Sequence, residues 1–164
     1  MIYGPCHYGP AHPTKCKIPP LLGKEDFRLL VTGSRLYQES HQITHTFDEL
    51  LPELPTDRRI VLVHGGARGF DSLAAALAKN RYGWAVEEHP ANWLRYGSRQ
   101  AGIRRNAHMV TLGADLCLAF PHPEGSGTQH CYNLAIRAGI PARSFMLWTI
   151  IDKLGNLEDI KWLK

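Results

Sequence analysis

Three glycine-rich turns carry residue types that could bind an anion. Each turn combines glycine with hydroxyl or guanidinium side chains: Gly33, Ser34 and Arg35 in "TGSR", Gly65, Gly66, Arg68 and Gly69 in "HGGARG", and Gly125, Ser126, Gly127 and Thr128 in "EGSGT". Backbone N–H groups at the start of a helix are unpaired and carry partial positive charge, which stabilises a phosphate. Glycine lets the backbone come close to such a ligand. The turns therefore predict a phosphate-binding site.

The glycine spacing excludes the commonest nucleotide motifs. No G-x-x-x-x-G-K-[ST] sequence occurs, and neither loop that contains two or more glycines has the G-x-G-x-x-G pattern of dinucleotide-binding proteins. An ordinary ATP or NAD site is therefore not indicated, and no cofactor is expected.

The segment "GIRRNAHM" supplies a further cation. Helical spacing predicts a buried stripe of Ile103, Ala107 and Val110, which leaves Arg105 and Asn106 off that stripe. A guanidinium that faces the ligand could hold a phosphate with two hydrogen bonds, either in a binding site or as the clamp of a catalytic site. The alternative is an ordinary solvated helix face.

Acidic and aromatic residues beside these motifs leave an enzymatic reading open. Glu124 and Asp71 are the candidate catalytic carboxylates, with His130 as a further proton-transfer group. Asp71 could equally cap the first turn of its helix. Trp93 and Tyr96 could stack on a nucleobase or pack within their own segment.

Apolar runs that alternate with helical patterns position these residues. Five runs are predicted as strands, "FRLLVT", "RIVLV", "WAVEEHP", "DLCLAF" and "ARSFMLWTI", with "WAVEEHP" nearest an edge. Four helical segments lie between them, and "ANWLRYGSRQAG" is interpreted as a long connection. The pattern predicts an α/β fold, a Rossmann-like, doubly wound parallel sheet of about five strands. The glycine turns then follow strands and meet at the carboxyl edge of the sheet, where ligands bind.

Length and composition agree with one domain in residues 26–164, preceded by an irregular extension in residues 1–25. The chain has 164 residues, 44% hydrophobic residues and a formal net charge of +4. No apolar run is long enough for a membrane helix, and the N-terminus does not have a signal-peptide pattern, so we expect a cytoplasmic protein without a membrane partner.

Four potential metal ligands fall close together near the N-terminus. Cys6, His7, His12 and Cys16 are of the types that bind zinc, but their spacing is not that of a known zinc finger. The alternative is an irregular arm with reactive thiols. No other metal site is expected.

Several motifs occur together in an order that marks a resemblance. "RLLVTGSR", "VHGGARGFD", "HPANW", "RRNAHMV", "GADLCLAFP" and "GSGT" follow one another between Phe27 and Phe145. The sequence resembles the YspA-like branch of the SLOG superfamily, Rossmann-like domains associated with nucleotide-derived ligands. The resemblance implies a nucleotide-binding site built from the glycine turns, in a homo-oligomer.

The superfamily includes the LONELY GUY-type phosphoribohydrolases, and part of their pattern is present. Their conserved Arg falls on Arg105, and their glycine loop falls on Gly125, Gly127 and Thr128. Their catalytic Glu falls on Cys131. We therefore expect binding, for sensing or sequestration, of a nucleotide or nucleotide-derived ligand. A hydrolase that cleaves N-glycosidic or phosphoester bonds is the alternative, and single-stranded nucleic acid is the least favoured partner.

Overall fold

The computed structural model of the protein describes residues 26–38 and 40–145. Its strands are β1 (Asp26–Gly33), β2 (Arg59–His64), β3 (Ala85–Glu88), β4 (Leu116–Phe120) and β5 (Ala142–Ser144). Its helices are α1 (His41–Leu50), α2 (Phe70–Asn80), α3 (Trp93–Thr111) and α4 (Gly127–Arg137), and a short 3-10 helix (Leu51–Glu53) follows α1.

All five strands are parallel and form one sheet in the order β3-β2-β1-β4-β5. This confirms the predicted Rossmann-like fold, with β3 at an edge. The chain runs outward from β1 to β3 and then returns to the other side of β1 to form β4. The carboxyl ends of β1 and β4 therefore lie at the point where the strand order reverses, which is where open α/β sheets bind ligands.

The sheet has an apolar core on each face, because successive side chains of a strand point to opposite sides. Leu29 and Val31 of β1 pack on the face that holds Phe47 of α1 and Phe70 of α2. Leu30 packs on the other face, where the core residues include Met109, Cys117 and Cys131. Burying a side chain such as Leu29 completely contributes about 1.5–3 kcal/mol, so these runs hold the strands in register.

A buried ion pair joins β1 to β3, and its arginine also holds the turn that follows α3. Both terminal nitrogens of Arg28 donate to the Glu87 carboxylate, at 2.7 and 2.9 Å, and its Nε donates to the Gly113 carbonyl at 2.8 Å. The His89 ring lies 2.5 Å from the same carboxylate. Burial alone raises the pKa of Glu87, but the bonds from His89 and Arg28 outweigh it and lower that pKa to about 2.

The N-terminal part of α3 corrects the predicted long connection. The segment "ANWLRYGSRQAG" is mostly helical, because α3 begins at Trp93 rather than near Ile103. The Asn92 side chain accepts a hydrogen bond from the backbone N–H of Arg95 at 3.0 Å and so caps the first turn. Gly97, with φ 66° and ψ 175°, then breaks the helix, so the glycine that suggested a loop marks a kink instead.

The predicted buried stripe of α3 is wrong at two of its three positions. Ile103 is 51% exposed and Ala107 is exposed, whereas Val110 is buried as expected. The buried face instead includes Asn106 and Met109. A polar side chain can occupy this face because the Asn106 amide is fully engaged in hydrogen bonds, which are described below.

Two sequence predictions fall partly or wholly outside the described residues. The zinc candidates Cys6, His7, His12 and Cys16 lie outside them, and so does the part of the fifth predicted strand beyond Phe145. Within residues 26–38 and 40–145, no group of three or more His, Cys, Asp or Glu side chains is placed to hold a metal ion. In the same ranges, no helix is both long and apolar enough to cross a membrane.

Candidate functional site

A cleft of about 670 Å³ opens at the carboxyl ends of β1 and β4. Segments distant in sequence meet there: the turn after β1, the first turn of α2, the middle of α3, and the loop between β4 and α4. Most of the residues predicted for the site line this large cleft: Gly33, Ser34, Arg35, Asp71, Arg105, Asn106, Glu124, Gly125, Ser126, Gly127 and Thr128.

A second, small cleft of about 250 Å³ adjoins the first. The predicted residues that line it are Arg35, Gly65, Gly66, Arg68 and Arg105. Arg35 and Arg105 line both clefts and so belong to the wall that the two clefts share.

Gly69 lines neither of these two clefts within the described residues. Its φ is +75°, and a Cβ at this position would overlap the backbone of Arg35. The glycine therefore allows the turn after β1 to pack closely against the start of α2. Gly33 has a similar packing role, since a Cβ there would overlap the Phe70 ring.

The loop between β4 and α4 leaves the start of its helix open. Ser126 stands at the N-cap of α4 but makes no side-chain capping hydrogen bond. The loop is held by His122 instead, whose carbonyl accepts from the Gly125 N–H at 2.9 Å and whose Nδ1 accepts from the Glu124 N–H at 3.2 Å. The first turn of α4 thus has no side-chain cap, and its residues Gly127 and Thr128 line the large cleft, as is typical of an anion-binding helix start.

The loop between β2 and α2 is closed on itself. One carboxylate oxygen of Asp71 accepts hydrogen bonds from the Gly65 and Ala67 N–H groups, both at 3.1 Å. The Gly66 N–H donates to Nδ1 of His64 at 3.0 Å. Three successive amides of this loop therefore already have protein partners. Arg68 of this loop has an exposed side chain and lines the small cleft.

Arg105 crosses from α3 to the β2–α2 loop and lies against Gly65. Its Nη1 donates to the Gly65 carbonyl and lies 3.9 Å from the Asp71 carboxylate, and its Nε donates to Oδ1 of Asn106 at 2.8 Å. A Cβ on Gly65 would overlap the guanidinium, so the glycine makes room for this arginine.

Asn106 connects this guanidinium to the start of α4. Its Nδ2 donates to the Gly127 carbonyl at 3.1 Å and lies 3.4 Å from Nδ1 of His130. Because Oδ1 accepts from Arg105, both ends of one buried amide are engaged. Asn106 thus fixes the cation of α3 relative to the helix start that faces it.

Asp71 in α2 and His64 at the end of β2, the two buried groups that hold the β2–α2 loop, have shifted pKa values. Burial raises the pKa of Asp71 to about 6, although Arg105 and the two backbone N–H groups favour its charged form. Burial lowers the pKa of His64 to about 4, with further lowering from the nearby cations Lys79 and Arg105. Nε2 of His64 is buried and has no hydrogen-bond partner among the described residues.

Cys131 stands where the LONELY GUY pattern has its catalytic Glu, and its side chain is buried in the core under α4. Burial raises the pKa of its thiol to about 11, so the sulfur stays protonated at neutral pH. No carboxylate or thiolate is presented to the cleft from this position. The acidic groups that do line the cleft are Asp71 and Glu124.

Sequence reasoning missed several residues of the large cleft. Ser98 and Arg99 follow the Gly97 kink and were assigned to a loop, and Ile103 was assigned to the core. Trp93, named only as a possible stacking residue, lines both clefts, and the Arg35 guanidinium lies 5.1 Å from the centre of its ring. Asn92 is a typical N-cap residue, and this sequence signal could have predicted the helical turn that begins at Trp93 and ends at the Gly97 kink.

Comparisons with known proteins identify the family and one relative of the chain. Residues 27–96 match the model of the family described as YspA, cpYpsA-related SLOG family. The chain is also similar to the Gene 61 protein of Mycobacterium phage D29, with 40% identity over 128 residues that cover 72% of this chain and 95% of the phage protein. No solved structure matches the chain.

Proposed function

Because the chain belongs to the YspA, cpYpsA-related SLOG family, we propose that it binds a nucleotide or nucleotide-derived ligand in the large cleft, to sense or sequester it. The observation that carries this proposal is the convergence of an uncapped helix start with three guanidinium groups, those of Arg35, Arg99 and Arg105, on one cleft. A phosphate is stabilised by helix-start amides and by arginine, so both features favour the same ligand group.

The phosphate is assigned to the space between α4 and Arg105. Asn106 holds Arg105 and the Gly127 carbonyl together, so the cation and the helix start need little rearrangement when the anion arrives.

The nucleobase is assigned to the apolar side of the same cleft. Leu36, Trp93 and Ile103 line it, and all three are large hydrophobic residues that are more than 40% exposed. Aromatic and aliphatic side chains of this kind give a base a surface to stack on, while the polar groups orient the phosphate.

The test is calorimetric titration of the purified protein with the 5′-monophosphates of adenosine, guanosine, cytidine and uridine. Arg105→Gln is expected to weaken binding about tenfold or more, since a charge-assisted hydrogen bond contributes about 1.5–3 kcal/mol. Arg137→Gln is the matched control, because Arg137 is an exposed arginine in the last turn of α4. The proposal fails if the wild-type protein binds none of these nucleotides or if Arg105→Gln binds them equally well.

Hydrolysis of the bound nucleotide is a second candidate function, favoured by the acidic groups of the cleft. Glu124 is exposed at the cleft and lies on the same loop as the helix start, so it could donate or accept a proton there. Asp71 is the other candidate, with Arg105 as the phosphate clamp. Chromatography of nucleotides incubated with the protein distinguishes turnover from binding. Turnover that is lost in Glu124→Gln and kept in Arg137→Gln would favour the enzyme.

A homo-oligomer belongs to the same proposal. Leu94, in the first turn of α3 beside the clefts, is a large apolar side chain that is fully exposed. A second copy of the chain would remove this side chain from water. Light scattering after size-exclusion chromatography should give at least twice the mass of one chain, and a monomer at high concentration would contradict it.

A further inference from the structure

The small cleft beside the nucleotide site has the lining of an anion-binding site of its own. Three arginines line it, Arg35, Arg68 and Arg105, and none of its lining residues is acidic. Two carboxylates lie behind this lining: that of Asp71 accepts from the Gly65 and Ala67 N–H groups, and that of Glu88 in β3 lies against Gly66. Anions are attracted to a concave surface lined by cations alone.

The backbone of the small cleft cannot take the role of its arginines. The amides of Gly65, Gly66 and Ala67 donate to Asp71 and His64, so they are not directed at a ligand. The Arg68 side chain, in contrast, is exposed and makes no hydrogen bond or ion pair to any other described residue. The charge that could meet an anion here is therefore carried by a side chain.

The two clefts are continuous at a shared wall. Arg35, Ala67, Trp93 and Arg105 line both of them. A ligand seated in the large cleft therefore needs to reach only past these four side chains to enter the small one. The small cleft, at about 250 Å³, is below the range of about 300–1,000 Å³ usual for whole-ligand sites. It suits one charged substituent rather than a second nucleoside.

We propose that the small cleft is a second phosphoryl subsite, so that the preferred ligand is a nucleotide with two phosphoryl groups, one at the start of α4 and one at Arg68. This inference rests on the proposed function. Two linkages meet the description: phosphoryl groups joined to each other, as in a nucleoside 5′-diphosphate, and phosphoryl groups on separate ribose oxygens, as in a nucleoside 3′,5′-bisphosphate.

Arg68 and Arg99 form a matched pair for the test. Both are exposed, and neither makes a hydrogen bond or an ion pair within the described part of the chain. Arg68 lines the small cleft alone, whereas Arg99 lines the large cleft alone. Each can be replaced by glutamine with little cost in stability, because surface substitutions away from such contacts change it by about 0.5 kcal/mol or less.

The experiment titrates the wild-type protein, Arg68→Gln and Arg99→Gln with three forms of each of the four nucleosides: the 5′-monophosphate, the 5′-diphosphate and the 3′,5′-bisphosphate. The wild-type protein should bind one of the two doubly phosphorylated forms about tenfold more tightly than the monophosphate. Arg68→Gln should abolish that ratio. Arg99→Gln should weaken all forms in common and keep the ratio. The doubly phosphorylated form that binds more tightly shows whether the two phosphoryl groups are joined to each other or lie on separate ribose oxygens.

The outcomes separate this inference from the function on which it rests. If monophosphates bind and neither doubly phosphorylated form gains, the second subsite is wrong and the nucleotide site stands. The second subsite is also wrong if Arg68→Gln still binds a doubly phosphorylated form more tightly than the monophosphate. If the wild-type protein binds none of the twelve nucleotides, both proposals fail.

Discussion

The β2–α2 loop and the β4–α4 loop begin from nearly the same composition and end in opposite states. Each follows a buried strand and leads into an eleven-residue helix; the first loop has three glycines, and the second has Gly125 just before the helix that begins at Gly127. In the first loop, Asp71 and His64 occupy three backbone amides. In the second, His122 occupies the amides of Glu124 and Gly125, and Ser126 leaves the start of α4 itself without a side-chain cap.

The difference teaches that glycine content alone does not make a phosphate loop. What matters is whether a neighbouring side chain satisfies the amides first. An aspartate in the first turn of α2 can turn back onto the loop, whereas α4 has no acidic residue in its first turn. The β2–α2 loop therefore supports Arg105, whereas the start of α4 has no side-chain cap.

The largest expected effect concerns the closed loop and its dependence on pH. The pKa of Asp71 is raised from 3.8 to about 6 in the folded protein, so ionising it costs folding free energy as pH rises from 4 to 7. Asp71→Asn removes this cost while it keeps an oxygen for the loop amides. The stability of the wild-type protein relative to Asp71→Asn should therefore fall by about 2 kcal/mol over this range.

Urea unfolding of both proteins at pH 4, 5, 6 and 7 measures this difference. His64 acts with the opposite sign, because its lowered pKa makes the fold less stable as pH falls from 6.5 towards 4. It is present in both proteins, so its contribution cancels in the comparison. A difference that does not vary with pH would show that Asp71 is not a buried ionisable group of the closed loop.

A smaller effect is expected from equivalent glycine substitutions in the two loops. Gly65→Ala places a methyl group where the Arg105 guanidinium lies, whereas Gly127→Ala points into open space. Arg105 can move aside, so Gly65→Ala should weaken nucleotide binding about tenfold or more with a modest change in stability. Gly127→Ala should change neither property strongly. Titration and thermal unfolding of the two variants give both readouts, and equal binding losses would contradict the contrast.

The smallest effect is expected from a substitution that adds a cap to α4, because it should change stability and ligand binding in opposite directions. Ser126→Asp adds a negative charge at the start of the helix, which should raise the free energy of unfolding by about 0.3–1 kcal/mol. The same charge should repel a phosphate from that position. Binding should therefore weaken while the midpoint of urea unfolding rises. A variant that binds more tightly would place the phosphate elsewhere.

Much of the fold could be predicted because it depends on local patterns. The run "FRLLVT" places alternate side chains in two cores, and β1 spans Asp26–Gly33 as a buried central strand. The order of strands and helices then leaves few topologies. The first turn of α3 could not be read from apolar periodicity, because it depends on an asparagine cap and ends at a glycine kink.

The candidate site was harder to predict because its residues act across the fold. The spacing of "VHGGARGFD" indicates a glycine turn, but not that Asp71 returns to the amides of Gly65 and Ala67. Similarly, helical periodicity predicted that Asn106 lies outside the buried stripe, because asparagine counts as a polar residue in such a pattern. Asn106 can be buried because its amide bonds to Arg105 and to the Gly127 carbonyl. Gly127 lies 21 residues away in the sequence, so no local pattern contains this contact.

The two-ended hydrogen bonding of Asn106 has a mechanical consequence. Any displacement of the α4 N-terminus along its axis pulls on the amide, and the amide pulls on the guanidinium that rests against the β2–α2 loop. Among the described residues, the two loops have no hydrogen bond to each other, so Asn106 and Arg105 provide a hydrogen-bonded path between them. We therefore expect a ligand at the start of α4 to shift the Arg105 guanidinium as well.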